Sequence, residues 1–155
     1  MSGPDRVAAA AAVLGLGIEV RRMPASTRTA AEAAIACGCG IAQIVKSLVF
    51  EVEGAGELRL LLVAGDNQVD IGRVAAETGE RLGRADPKRV RAETGFAIGG
   101  VPPIGHASPV SVWMDRSLLM HDTVWAAAGA PDAVFSVAPQ ALANATAARM
   151  IDVAD

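Results

Sequence analysis

Tyrosine is absent from this 155-residue chain, and aromatic residues together make up only 3% of it. The apolar share is nonetheless 52%, with a mean hydropathy of +0.35, and much of the excess is alanine. Such a composition predicts close approach between elements and a core assembled from Val, Leu, Ile and Ala. Long apolar runs are missing too. Residues 7–18 are too few for a membrane span, and the uncharged stretch 96–114 is broken by Gly and Pro. Arg6 ahead of VAAAAAVLGLG imitates a secretion signal, but Asp5, Glu19 and the lack of a clean cleavage site point to an Ala-rich first helix. Cysteine is limited to Cys37 and Cys39, too close for an ordinary structural disulfide, which suits a reducing cytoplasm. Positive charge is not in excess: the net charge is −3 and the pI near 5.4. Broad binding to nucleic acid rests on neutralising many phosphates, so no DNA partner is expected. A local basic patch meeting one end of an RNA is compatible with this balance.

Internal repeats, charge blocks and long linkers are lacking, so residues 1–155 read as one domain, long enough to bury a core without disulfides or metal. Pro4 opens a helix that stops near Gly15 to Gly17, and IEVRRM alternates like a strand. Ser26, Thr27 and Thr29 offer N-caps for TAAEAAIAC, which ends at Gly38 or Gly40. IVKSLVFEV and ELRLLLVAG read as a β-hairpin across Gly54 and Gly56. VDIGRVAAETG and DPKRVRAETG read as helices stopped by Gly79 and Gly95, the second with Asp86 as N-cap and Pro87 at the first position. PVSVWMD, TVWAAAG, AVFSVA and the segment 149–153 read as strands, with a helical turn at 116–120 and a helix over 139–146. Strands on both sides of a central helical stretch predict an α+β fold: a mixed, curved, barrel-like sheet surrounded by helices. A dinucleotide fold is excluded, because LGLGIEV follows a helix and places Val20 where the third glycine belongs. No Walker-type phosphate loop is present.

Lysine occurs only twice against twelve arginines, so Lys46 in the middle of a strand is conspicuous. Alternation places it beside Ile44 and Leu48, with Val45 and Ser47 on the other face. Either that face is the core, and the ammonium needs a polar partner against desolvation, or the strand is an edge and the lysine faces water. Ser47 and Lys46 face opposite ways and form no dyad, and no G-x-S-x-G elbow occurs. His106 and His121 are candidates for a base, or simply for capping and packing. Cys37, Cys39 and the two histidines match no familiar metal-ligand spacing, so no metal is assigned. Asp66, Asp70 and Asp115 read as caps.

The ribbon AIGGVPPIGHASPV carries three glycines, three prolines and no formal charge. Gly99 and Gly100 open backbone geometries closed to other residues, and Pro102 and Pro103 freeze the segment after them. Such a loop either aims successive amides at one point, building an anion or oxyanion site, or serves as a tight turn into the next strand.

Taken in order, QIVKSLVF, VAGDNQVDIGRV, TGFAIGGVPPIGH, PVSVWMDRSLL and VWAAAGAPDAVFSVAPQAL resemble the YbaK/prolyl-tRNA-synthetase-associated editing-domain family over nearly the whole chain. The most specific elements are the lysine of the QIVK strand and the G-x-x-x-P loop, here Gly99 and Pro103. The resemblance implies a stand-alone deacylase that hydrolyses the ester of a mischarged aminoacyl-tRNA, mainly tRNA for proline carrying alanine, cysteine or another small amino acid. It implies that Lys46 lies in the pocket for the 3′-terminal aminoacyl-adenosine, with Gly99 and Gly100 aiming backbone groups at the ester. Ser47, Val101, Pro102, Pro103, Gly105 and His106 are the expected substrate-binding residues. The implied partners are the aminoacyl end of tRNA and prolyl-tRNA synthetase, in the cytoplasm, with no cofactor. Arg84, Lys88, Arg89 and Arg91 offer a phosphate contact or a solvated helix face. Two other functions compete: an inactive module that grips tRNA ends or a synthetase, and a hydrolase of small esters or nucleotides using the same pocket.

Overall fold

The computed structural model describes residues 1–154. Helix α1 (Gly3–Val13) is opened by a capping box in which the Ser2 hydroxyl and the Asp5 carboxylate each accept from the other residue's amide. Strand β1 (Arg21–Arg22) precedes α2 (Ala30–Cys37), capped by Thr29 and ended at Gly38. A short 3-10 turn (Ile41–Gln43) leads into β2 (Ile44–Val52), which forms a hairpin with β3 (Leu58–Ala64). Helix α3 (Ile71–Thr78) has Asp70 as its cap. Strand β4 (Leu82–Arg84) then leads to α4 (Pro87–Thr94), with Asp86 as cap. Past the ribbon come β5 (Ser111–Asp115), a 3-10 turn (Arg116–Met120), β6 (Val124–Ala127), β7 (Ala133–Val137), α5 (Pro139–Thr146) and β8 (Arg149–Ile151).

The eight strands form one mixed sheet in the order β1-β7-β6-β2-β3-β5-β8, with β4 attached to β2. Helices flank it, so the expected architecture is present; the hydrogen-bonded path is open, ending at β1 and β8. The β3 run LRLLLVA is buried along its whole length because both faces are covered. Leu60 and Leu62 join the main core with Val7 of α1, Val101 and Ile104 of the ribbon, Phe135 and Leu142. Leu61 and Val63 join a second cluster with Val74, Trp113 and Ile151 on the opposite face. A small third cluster places Ala33 and Ala34 of α2 over Ile44.

Two features depart from expectation. Only two residues of IEVRRM pair as a strand, since β1 is an exposed edge held by β7 alone, while Ile18 and Val20 pack against the core without pairing. Strand β4 went unpredicted because three residues with a central glycine show no alternation. No helix among the described residues is long and apolar enough to cross a membrane.

Candidate active site

Strand β2 lies inside the sheet, which excludes the edge-strand reading of Lys46. Its first edge is paired with β3 from Val45 to Glu51. On the second edge, β6 runs parallel beside Ile44 and Val45, and β4 runs antiparallel beside Phe50 to Val52. Residues 46–49 have no strand partner there. The sheet is therefore split beside Lys46, and a cavity of about 280 Å³ opens at the split. Lys46, Ser47, Gly99 and Val101 all line it, together with Trp125 of β6 and Ala33 of α2.

The half-buried Lys46 finds a polar partner, as a lysine against apolar walls must. Its ammonium donates to the main-chain carbonyl of Asn67, just beyond β3. Asn67 is itself held. Its Nδ2 donates to Asp115 Oδ2 at 2.8 Å and to the Ser117 hydroxyl at 3.2 Å. Asp115, only 1% exposed, also accepts from the Ala64 amide at 3.1 Å and from the Ser117 amide at 2.9 Å. Asp115 is thus a cap, as its position predicts, and in addition the anchor of the segment that meets Lys46. The Ser47 hydroxyl is enclosed and, among the described residues, has no hydrogen-bond partner.

The ribbon supplies the facing wall. Ala97 to Gly100 form a turn closed by the Gly100 amide donating to the Ala97 carbonyl at 2.9 Å. Gly99 sits at its third position with φ +87°, a geometry that L side chains resist. The expectation that Gly100 aims its amide at the substrate is therefore not supported, because that N–H closes the turn. The Gly99 and Val101 amides have no hydrogen-bond partner among the described residues. Val101, Pro102, Pro103 and Ile104 are buried, which explains the absence of charge in this segment. Gly100 borders a second cavity of about 660 Å³ that shares Thr27, Arg28, Gly99 and Ala127 with the first. Pro102, Pro103, Gly105 and His106 border neither cavity.

The aminoacyl-tRNA editing domain model matches residues 24–145. The chain belongs to that family. A solved structure of a candidate trans-editing enzyme for prolyl-tRNA synthetase is 45% identical to this editing domain, covering 100% of this chain and 98% of that one with a TM-score of 0.91. The hypothetical protein APE2540 is 30% identical over 97% of this chain and 99% of its own, with a TM-score of 0.87. The uncharacterized protein YwhH of Bacillus subtilis (strain 168) is 32% identical over 126 residues, 81% of this chain and 80% of its own.

In this editing domain the two sequence candidates for a base do not meet the smaller cavity. Among the described residues, no Asp, Glu, His or Cys borders it. His106 folds back within the ribbon, where its Nε2–H donates to the Pro102 carbonyl at 2.7 Å. A carbonyl only accepts, so the proton resides on Nε2. Burial lowers the His106 pKa from its ordinary 6.5; the Pro102 hydrogen bond works the other way, and the Arg6 charge adds to the lowering. The folded state therefore favours the neutral ring. Its contribution to stability is fully present above the unfolded value near 6.5 and is lost as pH falls through that value toward the depressed folded one. The thermal midpoint is expected to drop between pH 7.5 and 5.5. His106→Gln, which keeps a donor for Pro102, should flatten that part of the curve; an unchanged slope would remove His106 as its cause.

Gly99 and Gly100 should also respond differently to alanine. A Cβ at Gly99 meets nothing within 4 Å, so the penalty is the φ of +87° alone, about 1 kcal/mol. Relief of that strain shifts the adjacent free amides. Gly99→Ala is expected to lower turnover on an aminoacyl ester at least about tenfold for a midpoint loss of only a few degrees. At Gly100 the nearest atom to an added Cβ is the Ala97 carbonyl oxygen at 3.6 Å. Gly100→Ala should stay within about 0.5 kcal/mol of the parent.

The residues around the candidate site that sequence reasoning did not single out for it are Thr27, Arg28, Thr29 and Trp125 on the cavity walls, and Asn67 behind Lys46. Thr29 was legible only as a cap, and nothing local to Asn67 or Trp125 signals a site. Of the four basic residues weighed for phosphate contact, Arg91 borders the larger cavity. Arg89 is paired with Glu93 and Glu51, so it is not free for one.

Proposed function

We propose that this chain is a trans-editing deacylase that hydrolyses the ester of a mischarged aminoacyl-tRNA, tRNA for proline carrying alanine, cysteine or a similarly small amino acid. The observation that supports this reading is a cavity bordered by Lys46, Gly99 and Val101, the last two with main-chain amides that have no partner among the described residues, and with no thiol, carboxylate or imidazole among the described residues on its walls. An aminoacyl ester is already activated, so positioning and stabilisation of the oxyanion are sufficient chemistry. Water adds to the carbonyl carbon, and the carbonyl oxygen takes negative charge facing the Gly99 and Val101 amides, with Lys46 adding positive potential. Collapse breaks the bond to the ribose oxygen, which leaves with a proton. The water oxygen remains in the released carboxylate, and its other proton goes to solvent. A ribose hydroxyl beside the ester can assist the attack in place of a protein base.

Ser47 borders the cavity and belongs to this reading as a substrate contact; its hydroxyl is enclosed and without a protein partner among the described residues, so it would have to turn outward to bond to a ligand. The volume of about 280 Å³, walled by Trp125 and α2, favours a small acyl group. Small competitors are also those that a synthetase pocket rejects poorly, since a missing methylene is worth only about 1–3 kcal/mol. The reading includes prolyl-tRNA synthetase as the enzyme whose errors are removed, and the cytoplasm as the place of action. It is tested by incubating the protein with a panel of tRNAs, each charged with a cognate or a non-cognate amino acid. Hydrolysis of Ala- or Cys-tRNA for proline, with the cognate ester spared, is the expected result. Loss of no ester in the panel would leave a binding module instead.

A further inference from the structure

The larger cavity has a chemistry of its own. Arg6 of α1, Arg28 before α2 and Arg91 of α4 all border it, and among the described residues no Asp or Glu does. In a chain of net charge −3 that is a pronounced local imbalance. Several arginines elsewhere are neutralised where they lie: Arg59 by Glu80 at 2.7 Å, Arg116 by Glu77 at 3.0 Å, Arg22 by Asp132 at 2.8 Å. The three cavity arginines have no acidic partner among the described residues. Arg6 donates to the Gly95 carbonyl at 3.2 Å and lies 4.5 Å from the Phe96 ring centroid, so it is fixed without losing its charge. Arg28 and Arg91 are exposed and can turn toward a ligand. Ile98, 45% exposed, supplies an apolar surface on the same wall.

Arg28 borders both cavities, so it stands at their junction. A ligand whose reacting end sits by Lys46 and whose remainder leaves through the larger cavity must pass it. We infer that the larger cavity is the subsite for the phosphodiester backbone of the single-stranded RNA end, with Arg28 and Arg91 meeting phosphates and Arg6 holding positive potential behind them. This rests on the proposed function for which end of the RNA enters, and it names a binding site that the hydrolytic step itself does not require. Guanidinium suits the task because its fork meets phosphate oxygens in pairs. The site also reconciles an acidic protein with an RNA ligand: the attraction is confined to one cavity rather than spread over a face.

The test is binding of a fluorescently labelled acceptor-stem RNA hairpin with a single-stranded ACCA end and no amino acid attached, followed by anisotropy across a salt series. Arg28→Ala/Arg91→Ala is expected to weaken binding about tenfold at low salt. It should also reduce the slope of log affinity against log salt by about 1.4, the loss of two single-strand phosphate contacts. Each single variant should give about half the change in slope. Lys88→Ala, outside the cavity, should match the parent. Since neither arginine has an acidic partner, the thermal midpoint should not move. Unchanged affinity in the double variant, or parent binding that survives removal of the ACCA end or is undetectable, overturns the inference. A second readout separates this inference from the deacylase reading. If the variant behaves as expected while no mischarged tRNA is hydrolysed, the deacylase reading falls and the RNA subsite stands. If hydrolysis occurs with a KM for charged tRNA that the double variant leaves unchanged, the subsite falls and the deacylase reading stands.

Discussion

Lys46→Ala is expected to lower deacylation about 100-fold or more in single turnover, with the protein still folded. Removal of one preorganised group facing a developing oxyanion typically raises the barrier by about 3–4 kcal/mol. The structural role of Lys46 is smaller. Its ammonium meets one main-chain carbonyl, and its stem borders a cavity rather than filling a core. Lys46→Met separates charge from packing, because it keeps an unbranched stem of similar size. Both variants should lose turnover alike, with midpoints within a few degrees of the parent. Activity retained in Lys46→Met would show that the ammonium does not act on the ester, and the proposed mechanism would fall with it.

Asp115→Ala should have the largest effect on stability. It removes the acceptor for two main-chain amides and the Asn67 side chain at a site that water barely reaches. Donors left unsatisfied in the interior cost about 1–3 kcal/mol each, so a total near 4 kcal/mol and a midpoint loss of roughly 10 °C are expected. Asp115→Asn discriminates between shape and acceptor count. Oδ2 accepts from Ala64 and Asn67 and Oδ1 from Ser117, so either orientation of an amide sets its NH₂ against a donor. The isosteric variant should therefore also be destabilised, by at least about half as much. What survives folded should show reduced turnover, because the Asn67 carbonyl that meets Lys46 is no longer held. A parent-like midpoint for Asp115→Asn, read by thermal denaturation, would sink this account.

The elements around the site were legible because their signals are local. Thr29, Asp70 and Asp86 cap the helices they precede, Gly38, Gly79 and Gly95 end them in left-handed geometry, and the β2 and β3 runs are apolar and bounded by turns. The two-residue β1 and the three-residue β4 were not, since pairing of such short segments is decided by the neighbour and not by their own pattern. At the site, Lys46 was conspicuous as a lysine in an apolar strand, and the ribbon as a stiff uncharged loop. The division of labour within the ribbon was hidden. Whether an amide is free depends on which carbonyl the turn brings beneath it, and that turn engages Gly100 while leaving Gly99 and Val101 free.

By itself the sequence determined the helices, the central hairpin, the mixed α+β class and the family, because capping, periodicity and motif order are properties of neighbours along the chain. Only the tertiary structure decided that β2 is flanked on both edges yet left open beside Lys46, and that Asn67 and Asp115 stand behind that lysine. It also gathered Arg6, Arg28 and Arg91, distant in sequence, around one acid-free cavity. The physical reason is common to all three: a gap in pairing, a buried carboxylate's donors and the sign of a cavity's potential are sums over segments that meet only when the chain is folded.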